Sequence, residues 1–179
     1  NSGANGNTGV GRYALYFQTG ADNTAVGNAA MTGNGNYEHN TAIGASALGA
    51  VTTGDYNVGL GKEAGDNLTT GSGNVIIASD VNAAAVDDDR TLIIAGNDGS
   101  TTTTWIDGDS SGNVTMPAEI AAATLDISGA IDIDGTTNLD AVDIDGAVQI
   151  DGAVTVGVDD TGLDVKLFGA SAGAYGLYD

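Results

Sequence analysis

A short motif recurs in constant phase through the first half of the chain, and this repetition constrains the fold more than any other feature. Each copy starts with Asn and carries Val, Ile or Leu three places later. The copies begin at Asn7, Asn23, Asn40, Asn57 and Asn74, so successive copies are 16, 17, 17 and 17 residues apart. A period of this length holds two brief strands and two turns. It predicts one coil of a parallel β-solenoid per copy, stacked on the next coil at about 4.8 Å.

Side-chain size alternates within each copy. In the second copy, Ala25 and Gly27 fall on one face of the strand, and Thr24 and Val26 fall on the other. We expect the large apolar residue to fill the narrow coil interior, and the small face to let a neighbouring backbone approach closely. The large positions are Val10, Val26, Ile43, Leu60 and Ile77.

A solenoid this thin predicts an oligomer. A single stack of small-residue coils buries too little apolar surface to offset the conformational entropy of its chain. The chain has no Cys, so disulfides do not supply the missing stability. We therefore expect several chains, most simply three around an axis, to share one core.

The repeat resembles the heads of YadA-like trimeric adhesins, in which NTAxG-like and AxA-like pieces alternate along a left-handed parallel β-roll. The copies at residues 23–31 and 40–48 match best, and the resemblance covers Asn7 to about Ala78. Turns such as residues 32–39 are longer than in the usual head repeat. We assign residues 1–80 to a head-like β-roll of five repeats.

The second half reads as a connector followed by an acidic stalk. Residues 1–80 carry 6 acidic and 2 basic residues, whereas residues 81–179 carry 18 and 2. In the connector, residues 81–118, an Asp98-Gly99 turn separates two strand-like segments and predicts a β-hairpin. Near its end, the segment from Pro117 to Leu125 is compatible with a short helix or with a linker.

An alternating IDIDG-like motif repeats through residues 119–158. Its Ile and Val residues fall on one face and its Asp residues on the other, which is typical of half-buried strands separated by glycine turns. Three chains around an axis would bury the apolar face and solvate the Asp face, so we predict a trimeric β-stalk. Its predicted core is Ile127, Ile131, Ile133, Ile144 and Ile150. Residues 159–179 read as the start of a further, truncated module, and we interpret the chain as an internal fragment.

The order of the pieces resembles the tail fibres of marine tailed bacteriophages. It consists of the NTAxG roll, the hairpin with Trp105–Gly108 and Gly112–Val114, the IDIDG stalk, and the closing segments 164–170 and 174–179. The resemblance implies a virion tail fibre. Its partners would be two further copies of the chain, other tail proteins and a receptor on the host surface. A glycan is one candidate for this receptor.

Residues with catalytic or metal-binding chemistry are few. His39 is the only histidine, so Cys/His pairs and His-rich zinc sites are excluded, and we predict no catalytic residue and no cofactor. Asp107, Asp109 and Ser111 start like a calcium loop. Position 12 of that loop, however, is Ala118 instead of Glu, which favours an ordinary turn.

Two other motifs have plain structural interpretations. The segment 59–65 imitates a phosphate loop, but Lys62 is not followed by Ser or Thr and the glycines keep the phase of the repeat. The Asp87–Asp89 run is predicted to be a polar turn. The aromatic residues of the roll have two interpretations, a sugar-stacking surface or packing between coils or chains. They are Tyr13, Tyr16, Phe17, Tyr37 and Tyr56.

The sequence thus predicts an all-β, parallel homotrimeric β-solenoid followed by a β-hairpin connector and an acidic β-stalk. A net charge of −20 disfavours nucleic acids and anionic membranes, and no segment is long and apolar enough to insert into a bilayer. The expected role is a non-enzymatic tail-fibre segment of the virion. The alternatives are a trimeric autotransporter-type adhesin on a bacterial surface and a polysaccharide-degrading tail spike, which would need clustered acids in a groove.

Overall fold

The described part of the chain is built from β-strands and turns. The computed structural model describes residues 5–122, 127–128, 130–131, 133, 144, 148–155, 165–168 and 175–178. Ten strands and no helix occur among these residues. The chain divides into two compact units, Asn1–Leu125 and Asp126–Asp179.

The first unit is a parallel β-solenoid of about five coils, as the repeat predicts. One three-residue strand from each coil stacks in register on the next, so that Thr8, Thr24 and Thr41 are neighbours in one column. The strands are β1 (Thr8–Val10), β2 (Thr24–Val26), β3 (Thr41–Ile43), β4 (Val58–Leu60) and β5 (Val75–Ile77). The AxA-like pieces form turns rather than a second column of strands.

The predicted hairpin is present, and its first strand also completes the solenoid. Strand β6 (Leu92–Asn97) pairs in parallel with β5 through Leu92–Ile94. The whole of β6 also pairs with β7 (Thr102–Gly108), which runs antiparallel to it, with an irregularity in register between Ile94 and Ala95. Strand β7 pairs in turn with β8 (Val114–Thr115). The solenoid sheet therefore passes directly into the hairpin as one sheet of eight strands.

The prediction that the large strand residues fill the coil interior is wrong. In β2 to β5 the buried residue is the middle one, as in Ala25, Ala42 and Ile76, which have no exposed surface, whereas all three residues of β1 are exposed. Val10, Ile43 and Ile77 are 57%, 45% and 38% exposed, and Val26 and Leu60 are half-buried. Large and small side chains do lie on opposite faces of the strands, as the sequence predicts. The small face points inward, because larger residues from the other sides of the coil already occupy the interior.

Those larger residues come from the turns. Leu15, Met31 and Leu48 are buried at equivalent places in successive coils, and Val51 and Leu68 fill another side. They pack against the small inward residues of the strands in one continuous core.

Tyr37 is the largest fully buried side chain of the core. It lies three residues before the coil Asn, where other coils have a glycine such as Gly54. Its hydroxyl donates to the carbonyl oxygens of Met31 (2.8 Å) and Gly33 (3.2 Å), which satisfies the phenol inside the protein. Burial raises the pKa of Tyr37 well above its ordinary value of 10.

A ladder of asparagines, four of them fully buried, joins the coils. Asn40 shows the pattern: its Nδ2 donates to the carbonyl oxygen of Gly54 (2.9 Å), and its Oδ1 accepts from the backbone N–H of Asn57 (2.8 Å). Each Asn in this way bonds two backbone groups of the following coil, and the ladder comprises Asn7, Asn23, Asn40, Asn57 and Asn74. The last amide accepts from both the backbone N–H and the hydroxyl of Thr91, which takes the place of a sixth Asn.

A second ladder runs along another corner. Backbone N–H groups of Glu38, Asp55 and Ser72 donate to the side chains of Asp55, Ser72 and Asp89 in the following coil, at 2.7, 3.1 and 2.7 Å. The hydrogen bonds to Asp89 and from Asn74 show that the fifth coil extends to about residue 90. The change in charge after residue 80 therefore lies within the fifth coil.

The motif glycine is required by close stacking. Gly44 has a φ of 141°, and a Cβ added there would overlap the carbonyl of Gly61 in the next coil. Only a residue without a side chain allows the two backbones to approach so closely.

In the second unit, two short strands pair. β9 (Val165–Phe168) and β10 (Tyr175–Tyr178) run antiparallel, with Tyr175 opposite Phe168 and Tyr178 opposite Val165.

Candidate interaction surface

The outward side of the parallel sheet is apolar. The third residue of each rung forms a column that we call the outer stripe, and the first residue forms a parallel column beside it. The outer stripe consists of Val10, Val26, Ile43, Leu60, Ile77 and Ile94. The neighbouring column consists of Thr8, Thr24, Thr41, Val58, Val75 and Leu92.

The outer stripe is flat, continuous and free of charge. Its six rungs, spaced at about 4.8 Å, give a length of about 24 Å. Side chains on one face of a parallel ladder stand one above the other, so the exposed parts of Val10, Ile43 and Ile77 lie along one line. Parallel sheets are normally covered on both faces, and here the coil interior covers one face whereas the other leaves Val10, Ile43 and Ile77 exposed.

His39 lies at an exposed bend between coils. Its ring stacks on Tyr56 at 4.8 Å between centroids and 8° between planes, and its Nε2 lies 3.7 Å from a carboxylate oxygen of Asp22. Neither neighbour is a nucleophile with an activating base. The geometry is that of a surface contact between coils.

The calcium-like segment forms a self-contained turn. Asp109 accepts backbone N–H bonds from Ser111 (2.9 Å) and Asn113 (3.0 Å), and its second oxygen accepts from the Asn113 amide at 2.7 Å. These bonds, the Asn113 amide first, lower the pKa of Asp109. Asp107 lies in strand β7 and Ser111 in the turn. Among the described residues, no group of three or more His, Cys, Asp or Glu side chains is placed to hold a metal ion.

The Asp87–Asp89 run and the glycine-rich segment 59–65 make hydrogen bonds and ion pairs within the solenoid. In the Asp run, Asp88 accepts from the backbone N–H of Ala85 at 2.6 Å, and Asp89 belongs to the second ladder. Lys62 of the glycine-rich segment lies 2.7 Å from Asp80 and 3.0 Å from Glu63. The hydrogen bond from Lys62 lowers the pKa of Asp80, and the bond to Asp80 raises the pKa of Lys62.

The aromatic residues separate into two groups. Tyr37 is buried in the core, so it is excluded from any sugar-stacking surface. Tyr13, Tyr16 and Phe17 are exposed on the first coil and contact one another, and Tyr56 is exposed at the bend with His39.

The predicted stalk residues are exposed where the structure describes them. Ile127, Ile131, Ile133, Ile144 and Ile150 are 42%, 64%, 52%, 53% and 59% exposed. No strand occurs among the described residues of 119–158, and most of the neighbouring Asp residues lie outside the described part. The β-stalk therefore remains a prediction.

Sequence reasoning missed the sixth rung and the role of Tyr37. Thr91 lies 17 residues after Asn74, so the spacing alone could have identified the rung even though the residue type had changed. Tyr37 could have been recognised from its position three residues before Asn40, where three of the other four repeats have Gly.

Comparisons with known proteins add no assignment. The chain matches no family model, no curated protein and no solved structure. No helix suited to crossing a membrane is found in the part of the chain that the structure describes. The architecture that this part does establish is an all-β chain whose first unit is a parallel β-solenoid of about five coils.

Proposed function

We propose that this chain is a non-enzymatic, structural segment of a homotrimeric fibre, in which three solenoids pack through their outer stripes. The single observation that carries the proposal is the continuous, uncharged stripe from Val10 to Ile94 on the uncovered face of the parallel sheet. Exposed apolar patches of this kind mark protein interaction sites.

The occupant of the stripe that fits best is another copy of the chain. The stripe repeats with the coil spacing, and a copy in parallel orientation presents the same spacing to it. Three-fold symmetry then allows the three stripes to face one axis with no open-ended growth. The exposed Ile residues of the acidic repeats are a second apolar surface for contacts between copies of the chain.

The proposed fibre belongs to the tail of a virion, outside the cell. This part of the proposal rests on the resemblance in the order of roll, hairpin and IDIDG repeats. In that role the segment carries or presents a host-receptor contact away from the particle, next to other tail proteins. The described contacts of His39 and of the acidic residues support a structural role, since they are hydrogen bonds and ring contacts within and between coils.

The test is the mass of the chain in dilute solution, by analytical ultracentrifugation. We expect three times the chain mass of 17.6 kDa. The variant Ile43→Asp places a charge on the outer stripe and should give folded monomers, whereas Thr53→Asp adds the same charge at an exposed site away from the stripe and should leave the trimer intact. A folded wild-type monomer, or a trimer insensitive to Ile43→Asp, would overturn the proposed packing.

A second measurement addresses the non-enzymatic role. The trimer is incubated with bacterial surface polysaccharide, and the reducing ends released are quantified. We expect none above a blank. Sustained release would instead favour the polysaccharide-degrading spike and overturn the structural assignment.

A further inference from the structure

An exposed aromatic patch on the first coil is the strongest candidate for a ligand site. Tyr13, Tyr16 and Phe17 are 45%, 57% and 55% exposed, although large aromatic residues are usually buried. With Ala29 and Thr32 of the second coil they line an open cleft of about 430 Å³. Its lining thus combines aromatic rings with hydroxyl-bearing side chains.

The rings of the patch hold one another in place. Tyr16 stands edge-to-face against Tyr13, at 5.4 Å and 79°, and against Phe17, at 4.6 Å and 89°. The Arg12 guanidinium lies 4.3 Å above the centre of the Tyr13 ring and donates to the Tyr13 hydroxyl at 2.7 Å. Rings fixed in this way lose little side-chain entropy when a ligand binds.

The charge around the patch differs from that of the rest of the chain. Residues 1–21 contain Arg12 and no Asp or Glu, in a chain whose net charge is −20. A guanidinium has five donors, and the contact with Tyr13 uses one of them in the structure. The remaining donors suit a carboxylate or sulfate group.

The position of the patch argues against a contact between copies of the chain. Tyr13 occupies a corner at which later coils carry Glu63 and Asp80, both bonded to Lys62. Glu63 is half-buried, and Lys62 and Asp80 are exposed, so this corner is in contact with water further along the solenoid. The patch thus lies on a solvated side of the first coil, not on the outer stripe.

We infer that the patch formed by Arg12, Tyr13, Tyr16 and Phe17 binds an anionic saccharide. The exposed ring faces would pack against the C–H face of a sugar, and Arg12 would pair with its carboxylate or sulfate. This inference rests on the proposed attachment role, because it names the chemistry of the receptor that such a segment would contact.

The experiment is calorimetric titration of the full chain with two defined probes of equal length, oligogalacturonate and uncharged malto-oligosaccharide. We expect oligogalacturonate to bind in preference. Arg12→Gln should weaken that binding by about tenfold and remove the preference over the neutral probe. The double variant Tyr16→Ser/Phe17→Ser should abolish binding of both probes.

Tyr56→Ser provides the matched control, since Tyr56 is equally exposed but lies at another corner. All substituted side chains are exposed, so circular dichroism should show an unchanged fold. Absence of binding to either probe, or binding that survives Tyr16→Ser/Phe17→Ser, would overturn the inference. The mass measurement distinguishes failure of the saccharide site from failure of the proposed trimer. A trimer that binds no saccharide would refute the site alone. A monomer that binds the saccharide would refute the trimer alone.

Discussion

The coils and the acidic repeats use apolar residues in different ways. In the coils, the buried residues include Ala25, Ala42 and the ladder Asn residues, and one chain supplies every hydrogen-bond partner of an amide such as that of Asn40. In the acidic repeats, the described Ile131 and Ile133 are more than half exposed. The difference teaches that one chain can close a solenoid core with small strand residues, larger turn residues such as Leu48 and amide ladders. The described Ile residues of the acidic repeats, by contrast, stay exposed in the single chain.

The largest expected effect comes from replacing a glycine with alanine, once in the coils and once in the acidic repeats. Gly44→Ala places a methyl group on the carbonyl of Gly61, at a φ of 141°, so the coils must separate. We expect a loss of more than about 4 kcal/mol in unfolding free energy, or no folded solenoid. Gly152→Ala meets no atom within 4 Å and should change stability by no more than about 0.5 kcal/mol. The measurement is denaturant unfolding followed by circular dichroism, and equal losses would mean that close stacking is not what holds the coils.

A somewhat smaller effect should follow from cutting the amide ladder. Asn40→Ala removes the bonds to Gly54 and Asn57 and leaves their buried backbone groups unpaired. We expect a loss of about 3 kcal/mol, because each unpaired buried group costs about 1–3 kcal/mol. Gln149→Ala, which removes the exposed bond from Gln149 to Asp151, serves as the control and should be close to neutral. If Asn40→Ala left the unfolding free energy unchanged, the ladder would not stabilise the stacked coils.

The repeat predicted the coils because constant spacing is a direct consequence of stacking, and the Asp98-Gly99 pair predicted the hairpin because its turn geometry is local. The direction of the strand faces could not be read from size alone. A thin interior accepts Ala25 as readily as Val26, and the choice depends on Leu15, Met31 and Leu48 entering from other sides of the coil. The aromatic cleft likewise depends on the contact of the first coil with Ala29 and Thr32 of the second.

A third prediction concerns Tyr37, the aromatic residue that is buried in the described coils. Tyr37→Phe removes two hydrogen bonds to backbone carbonyls and should cost about 1–2 kcal/mol at pH 7. In the wild type, the pKa of Tyr37 is higher in the folded state than in the unfolded state, where it stays near 10. Above pH 10 the unfolded chain therefore releases a proton that the folded chain retains, and stability falls as the pH rises. Unfolding free energies from pH 9 to 12 should show this decline in the wild type and a shallower one in Tyr37→Phe.

The smallest effect is expected from the charges on the coil surface. The pKa of Asp80 is lowered in the folded state, first by the hydrogen bond from Lys62, so its contribution is present above its unfolded pKa and disappears as the pH falls through the folded pKa. Both side chains are exposed, and such pairs contribute little. Asp80→Asn should therefore lower the melting temperature at pH 7 only slightly, and not at all in 1 M salt, where the charges are screened.

Asp151→Asn in the acidic repeats, which lack Lys and Arg from residue 119 to 158, breaks no ion pair and should leave the unfolding of the coils unchanged. A large loss in Asp80→Asn would mean that the ladders do not carry the stability of the coils, and it would remove the contrast between the two regions.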